Sequence, residues 1–143
     1  MRIAIGCDHR GLELKQVIMG LLTELGHDYH DFGCYTNEPV DYPDIAKQVA
    51  EPVAAGKFDY GILICSSGIG MSIAANKIKG IRAALCCDIT GAEMARRHND
   101  ANILCLGINT VATLDIVKVY LSSKFEGGRH LRRLEKVRKL EAA

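Results

Sequence analysis

The sequence has almost no net charge: 18 lysines and arginines are set against 17 aspartates and glutamates, a formal +1. That balance speaks against a nucleic-acid arm or a membrane-surface peptide, and 48% hydrophobic with 24% charged residues speaks against a disordered tail. No apolar run approaches the roughly 18 residues of a membrane span, and "MRIAIGCDHRG" turns from apolar to charged too early for a secretory signal. Linkers, repeats and low-complexity stretches are absent. There is no CxxC or CxH spacing, and the nearest histidine pair, His27 and His30, falls in a stretch of alternating character expected to be a strand, which argues against structural zinc. Cys7, Cys34, Cys65, Cys86, Cys87 and Cys105 sit mostly in or at the ends of apolar runs, and two of them are adjacent. Reduced thiols fit better than a disulfide framework. The expectation is a soluble, cytoplasmic protein without metal or cofactor, whose partners are small molecules or other chains, with no nucleic acid and no membrane.

What is present is a regular alternation. The 143 residues fit one domain, 1–143, able to bury about 68 to 70% of the surface its unfolded chain exposes. "RIAIGC" has strand length, and Leu14, Val17, Ile18, Leu21, Leu22 and Leu25 then form a helical stripe that Gly26 can end. The pattern repeats through "DYHDF", a stripe from Ile45 to Ala54, "YGILIC", "GMSIAANKI", "IRAALCC", "TGAEMARRH", "NILCLG" and residues 111 to 123. Pro52 should kink or end the second helix, because it removes a donor and crowds the carbonyl of Gln48. After Gly127 and Gly128, "GGRHLRRLEKVRKLEAA" reads as a sixth, basic helix. Alternating strands and helices with continuous apolar strands point to α/β architecture: a three-layer Rossmann-like sandwich with a five-stranded parallel sheet, helices on both faces and an extra C-terminal helix. The expected strand order is 2-1-3-4-5, in which ligands bind where the connections from strands 1 and 3 part, beyond their carboxyl ends.

The loop after strand 1 is "CDHRG" and the loop after strand 3 is "CSSGIG", so the two least ordinary stretches should face each other. Small residues and glycines between a strand and a helix let the backbone turn tightly and present N–H groups to an anion. Cys65 stands at the same helix start, which favours a thiolate acting as base or nucleophile; the plainer alternative is a small apolar residue finishing a buried strand. Met71 occupies the place where a cysteine-phosphatase loop needs arginine, no GxxxxGK[ST] occurs, and no GxGxxG follows strand 1. Cysteine phosphatases, nucleoside-triphosphate loops and dinucleotide folds are thereby set aside.

"GCDHRG", "VDYPD", "GILICSSGIGMSIAANKIKGIRAA", "RRHNDANIL" and "FEGGRH" resemble, in order and across essentially the whole chain, the type B ribose-5-phosphate isomerases, whose family also includes galactose-6-phosphate isomerase subunits. The resemblance implies aldose–ketose interconversion through an enediolate without metal or nucleotide. It implies Cys65 as the base and the N–H groups of Ser66, Ser67, Gly68, Ile69 and Gly70 as donors to the developing oxyanion. Ser66 and Ser67 stand where the family usually reads Gly-Thr. Asp8 and His9 match an Asp-His pair that binds sugar hydroxyls and helps with the phosphate; alone, Asp8 would pass for turn chemistry and His9 for a loop residue. Tyr42 matches a residue near the substrate, with packing ahead of a helix begun by Pro43 as its alternative.

His98 matches the acid that opens the furanose ring, and Asn99 a sugar-binding residue; a helix C-cap is the alternative for both. They should lie at the amino end of the sheet, away from Cys65, so the active site is expected to be shared between subunits of a homodimer or tetramer. Arg129 and Arg133, four apart on one side of a helix, match phosphate-binding arginines. Asn109 stands in place of a further arginine, a change that removes one phosphate contact and raises the Michaelis constant or marks a different sugar. The expected function is the interconversion of D-ribose 5-phosphate and D-ribulose 5-phosphate in the pentose phosphate pathway. The alternatives are an allose- or galactose-6-phosphate isomerase, a non-catalytic phosphosugar-binding flavodoxin-like module, and a redox-sensing cysteine protein.

Overall fold

The computed structural model describes residues 1–143. Along the chain run β1 (Arg2–Cys7), α1 (Leu12–Glu24), β2 (Asp28–Asp31), α2 (Tyr42–Ala54), β3 (Tyr60–Cys65), α3 (Ile69–Ala75), β4 (Ala83–Leu85), α4 (Ile89–Arg97), β5 (Ile103–Gly107), α5 (Thr113–Ser122) and α6 (Arg129–Ala142). All five strands are parallel in one sheet. The continuous apolar runs fill its centre, where β1, β3 and β5 are buried almost end to end, as a sheet covered on both faces requires. No helix is long and apolar enough to cross a membrane.

The α/β class and the extra C-terminal helix are as expected, but the strand order is β2-β1-β3-β5-β4 rather than 2-1-3-4-5. Length and burial explain the exchange. β4 has only three residues, none fully buried, whereas all five of β5 are buried; the short, half-covered strand takes the edge. With right-handed crossovers this order puts α2 beside α3 on one face and α1, α4 and α5 on the other, and these are the helices in contact. The connections from β1 and β3 still part in opposite directions, so the crevice between those two strands is preserved.

Two local expectations are refined. The buried side of α1 is Lys15, Ile18, Leu21 and Leu22, while Val17 and Leu25 face outward. Lys15 is only 2% exposed because its Nζ donates to Asp31 Oδ1 at 2.8 Å and to the Cys34 carbonyl. A buried charge is tolerable only with such partners, and this one ties the polar strand β2 and the segment after it to α1. Pro52 lies inside the last turn of α2, which ends two residues later, with Gly56 at φ +77° closing it through bonds from Gly56 to Val53 and from Lys57 to Pro52.

Candidate functional site

At the carboxyl end of the sheet, β1 and β3 run in register, Cys7 opposite Ile64, and the Asp8 N–H continues the ladder by donating to the Ile64 carbonyl at 3.0 Å. Asp8 is therefore buried directly beside the start of the Cys65 loop. Its Oδ1 accepts the Arg10 N–H at 2.9 Å, an Asx turn that fixes the carboxylate. His9 Nδ1 accepts the Val40 N–H at 3.3 Å, which assigns the ring proton to Nε2 and leaves that edge as a donor. Cys65 is 5% exposed, and its Sγ accepts the Gly68 N–H at 3.2 Å, giving negative charge on sulfur a fixed partner. The other buried thiols lack such an arrangement: burial pushes Cys7 up to about 12 and Cys86 up to about 11.

The loop is built on close approach. Gly68 has φ +78°, and a Cβ there would meet Leu85 Cδ1 at 2.6 Å and the Leu106 carbonyl carbon at 2.8 Å. Gly70 lies under the Tyr42 ring, which a Cβ would reach at 2.7 Å. Tyr42 is thus held over the loop. Ser66, in place of the glycine common in the family, keeps a negative φ, so the loop does not require glycine there. Of the expected amide donors, Gly68 is engaged by Cys65 and Ile69 by Ser67 Oγ at 3.2 Å; the N–H groups of Ser66, Ser67 and Gly70 have no partner in the chain. Asn109 is exposed just past β5, beside this loop, where the Ile108 N–H donates to the Ser66 carbonyl.

The remaining candidates lie at the other end of the sheet. His98 caps the C-terminus of α4 with its N–H bonded to the Met94 carbonyl, and the turn Asn99–Asp100 follows, Asp100 at φ +47°. Arg96, 5% exposed, pins this turn through Nη1 to Asp100 Oδ1 at 2.9 Å and to the Ala101 carbonyl at 2.8 Å, with its guanidinium over the Tyr60 ring. Arg129 and Arg133 occupy the first turns of α6, exposed and close to His130, on whose ring the His98 ring stacks at 4.2 Å. From Ile103 to Gly107 alone the strand spans about 13 Å. One chain therefore brings together Asp8, His9, Tyr42, Cys65, Ser66, Ser67, Gly68, Ile69, Gly70 and Asn109, and separately His98, Asn99, Arg129 and Arg133.

Sequence reasoning passed over Glu126 and His130. The carboxylate of Glu126 meets Arg97 Nη2 at 2.7 Å, His98 Nε2 at 3.7 Å and His130 Nε2 at 3.6 Å. The only signal was their presence in "FEGGRH". Three potential metal ligands meet there, but the histidine planes are 14° from parallel, so their in-plane lone pairs do not converge, and a guanidinium already occupies the carboxylate. A groove of about 890 Å³ runs along the β4 edge between α4 and α6; Asn99 lines it, and the Cys65 loop does not.

A family model described as ribose/galactose isomerase matches residues 3–137. The chain is 46% identical to ribose-5-phosphate isomerase B of Escherichia coli, over 98% of this chain and 96% of that one. Among solved structures, ribose-5-phosphate isomerase B of Clostridium thermocellum superposes with a TM-score of 0.97 at 50% identity, covering 99% and 98% of the two chains. The Mycoplasma genitalium enzyme, solved with bound ribulose-5-phosphate, superposes with a TM-score of 0.94 at 42% identity, covering 99% and 96%. Two facing loops around a single held thiol, on a fold shared along the whole chain with these proteins, lead to one conclusion: the chain belongs to the ribose/galactose isomerase family and is an isomerase.

Proposed function

We propose that residues 1–143 form one cytoplasmic isomerase domain that interconverts D-ribose 5-phosphate and D-ribulose 5-phosphate through an enediolate, in the pentose phosphate pathway. The observation that carries this reading is the juxtaposition of Cys65, its sulfur held by the Gly68 N–H, with buried Asp8 across the β1–β3 crevice. Asp8 accepts from sugar hydroxyls and Tyr42 closes over the sugar. The Nε2–H of His9 donates to the phosphate. Asn109, next to the Cys65 loop just past β5, offers that phosphate an amide where the family often has arginine.

Chemistry proceeds in two stages. First, the imidazolium of His98 gives its proton to the ring oxygen as the bond from that oxygen to C1 breaks and the C1 hydroxyl passes its proton to solvent, leaving the open aldehyde. Second, the Cys65 thiolate takes the C2 proton, the carbonyl oxygen on C1 gains the charge, and the free N–H groups of Ser66, Ser67 and Gly70 stabilise it. Return of the proton from Cys65 to C1, with transfer of the O2 proton to O1, completes the ketose and regenerates the thiolate.

Because His98 and Cys65 stand at opposite ends of one sheet, the acid comes from the partner subunit in a homodimer or a tetramer of such dimers. Asn99 of the partner subunit binds the sugar, and Arg129 and Arg133 of the partner subunit clamp the phosphate. Exposed Ile69, Ile73 and Val111 around the Cys65 loop support this, as apolar side chains that a second subunit would cover.

The test is the rate of ribulose 5-phosphate formation from ribose 5-phosphate with no metal added, for the natural chain and Cys65→Ala. Turnover should collapse in the variant while ribose 5-phosphate still binds. An inactive natural chain would overturn the substrate assignment, and a fully active variant would overturn the base.

A further inference from the structure

Glu126 stands where two elements of the acid-bearing half-site are joined. Its N–H donates to the Arg97 carbonyl at 3.0 Å and its Oε2 accepts from Arg97 Nη2 at 2.7 Å, so the strap before α6 is fixed to the end of α4 at both backbone and side chain. The same carboxylate faces Nε2 of both stacked histidines. His130 is 7% exposed, and its Nε2 is buried without a hydrogen-bond partner, aimed at Glu126.

The other carboxylates near His98 in the chain are already paired, Glu93 with Arg97 and Asp100 with Arg96 and Arg82, while the His130 ring stacked on it has Arg129 and Arg133 close by. Burial, then Arg129 and His98, lower His130 below the ordinary histidine value, so it faces His98 as a neutral ring at pH 7. An acid that must carry an extra proton among arginines needs a compensating anion, and Glu126 is the carboxylate in reach. With Nε2 turned toward Glu126, the Nδ1 edge of His98, which has no partner in the chain, is left to meet the sugar.

We infer that Glu126 is the positioning residue of ring opening: it holds the imidazolium of His98, with the His130 ring as its stacking platform, so that one nitrogen is presented to the ring oxygen. This rests on the reading of His98 as the ring-opening acid. It also separates two reactions that the enzyme combines. Ribose 5-phosphate is a furanose and must be opened. Ribulose 5-phosphate carries its phosphate on the oxygen that would close a five-membered ring, so it is acyclic, and exchange of its C1 proton with solvent needs the Cys65 base and the groups that bind the sugar phosphate but no proton from His98.

The experiment compares the natural chain with Glu126→Gln, Glu126→Asp and His98→Asn. Ribose 5-phosphate turnover is measured together with C1 proton exchange of ribulose 5-phosphate in D2O, followed by NMR. For Glu126→Gln, kcat on ribose 5-phosphate should fall about ten- to hundredfold, a fraction of what a general acid contributes, with KM within about threefold and exchange within about twofold of the natural chain. Glu126→Asp, which keeps the charge, should regain part of the loss. If turnover and exchange fall together in Glu126→Gln, or if Gln and Asp behave alike, the role is structural and the inference fails. Full turnover in Glu126→Gln beside slow turnover in His98→Asn also sinks it, while leaving His98 as the acid. Full turnover in His98→Asn overturns both.

Discussion

A methyl group on Gly68 would collide with Leu85 Cδ1 at 2.6 Å and with the backbone of β5 at 2.8 Å, and the residue would have to hold φ +78°. The left-handed conformation costs an L-residue roughly 1–2 kcal/mol and overpacking typically adds about 1–3 kcal/mol. Gly68→Ala should therefore lose about 3 kcal/mol or more in urea denaturation, and its turnover should fall further than stability alone explains, because the Gly68 N–H that meets Cys65 Sγ would shift. Local chemistry of this kind was legible in the sequence. A cysteine, small residues and glycines at a strand-to-helix turn announce the loop without knowledge of the rest. Lys15 and Glu126 were not legible, because their partners, Asp31 and the pair His98 and His130, come from other elements, and a charged residue inside a periodic pattern reads as solvated until its partner is found.

At the scale of elements, hydrophobic pattern and glycine breaks together identified every strand and helix, while strand order escaped them. Period reports whether a segment is covered on one side or all round, and three half-covered residues such as Ala83–Leu85 give too short a run to say which neighbour they choose. The same weakness applies to α6, whose many charges conceal a small seat: only His130 and Leu134 are buried along its fourteen residues, with Glu141 accepting the Gly80 N–H at 2.8 Å near its end. Leu134→Ala should cost about 2 kcal/mol, the low end for a buried leucine because the site borders an open groove. Chemical denaturation would detect it, and an unchanged midpoint would mean that α6 is held by its ends alone.

For the whole molecule, the sequence already placed His98 and Cys65 at opposite ends of the sheet, since a residue after a helix and before a parallel strand must lie at the amino end. What sequence could not give is how two copies meet. Under the shared-site reading, a mixed dimer of Cys65→Ala and His98→Asn contains one doubly impaired site and one with both residues natural. Unfolding and refolding the two variants together in equal amounts should recover about a quarter of natural turnover, because half of the dimers are mixed and each has one intact site. No recovery beyond the separate variants would place both residues in one subunit's site.

The separation of the two half-sites along β3 and β5 also sets how rate scales with amount. With the site shared as proposed, a lone chain carries two halves of different centres and no complete one, so at dilutions where subunits part, turnover should fall with the square of total protein concentration instead of in proportion to it, and added substrate, by bridging the halves, should pull the association back.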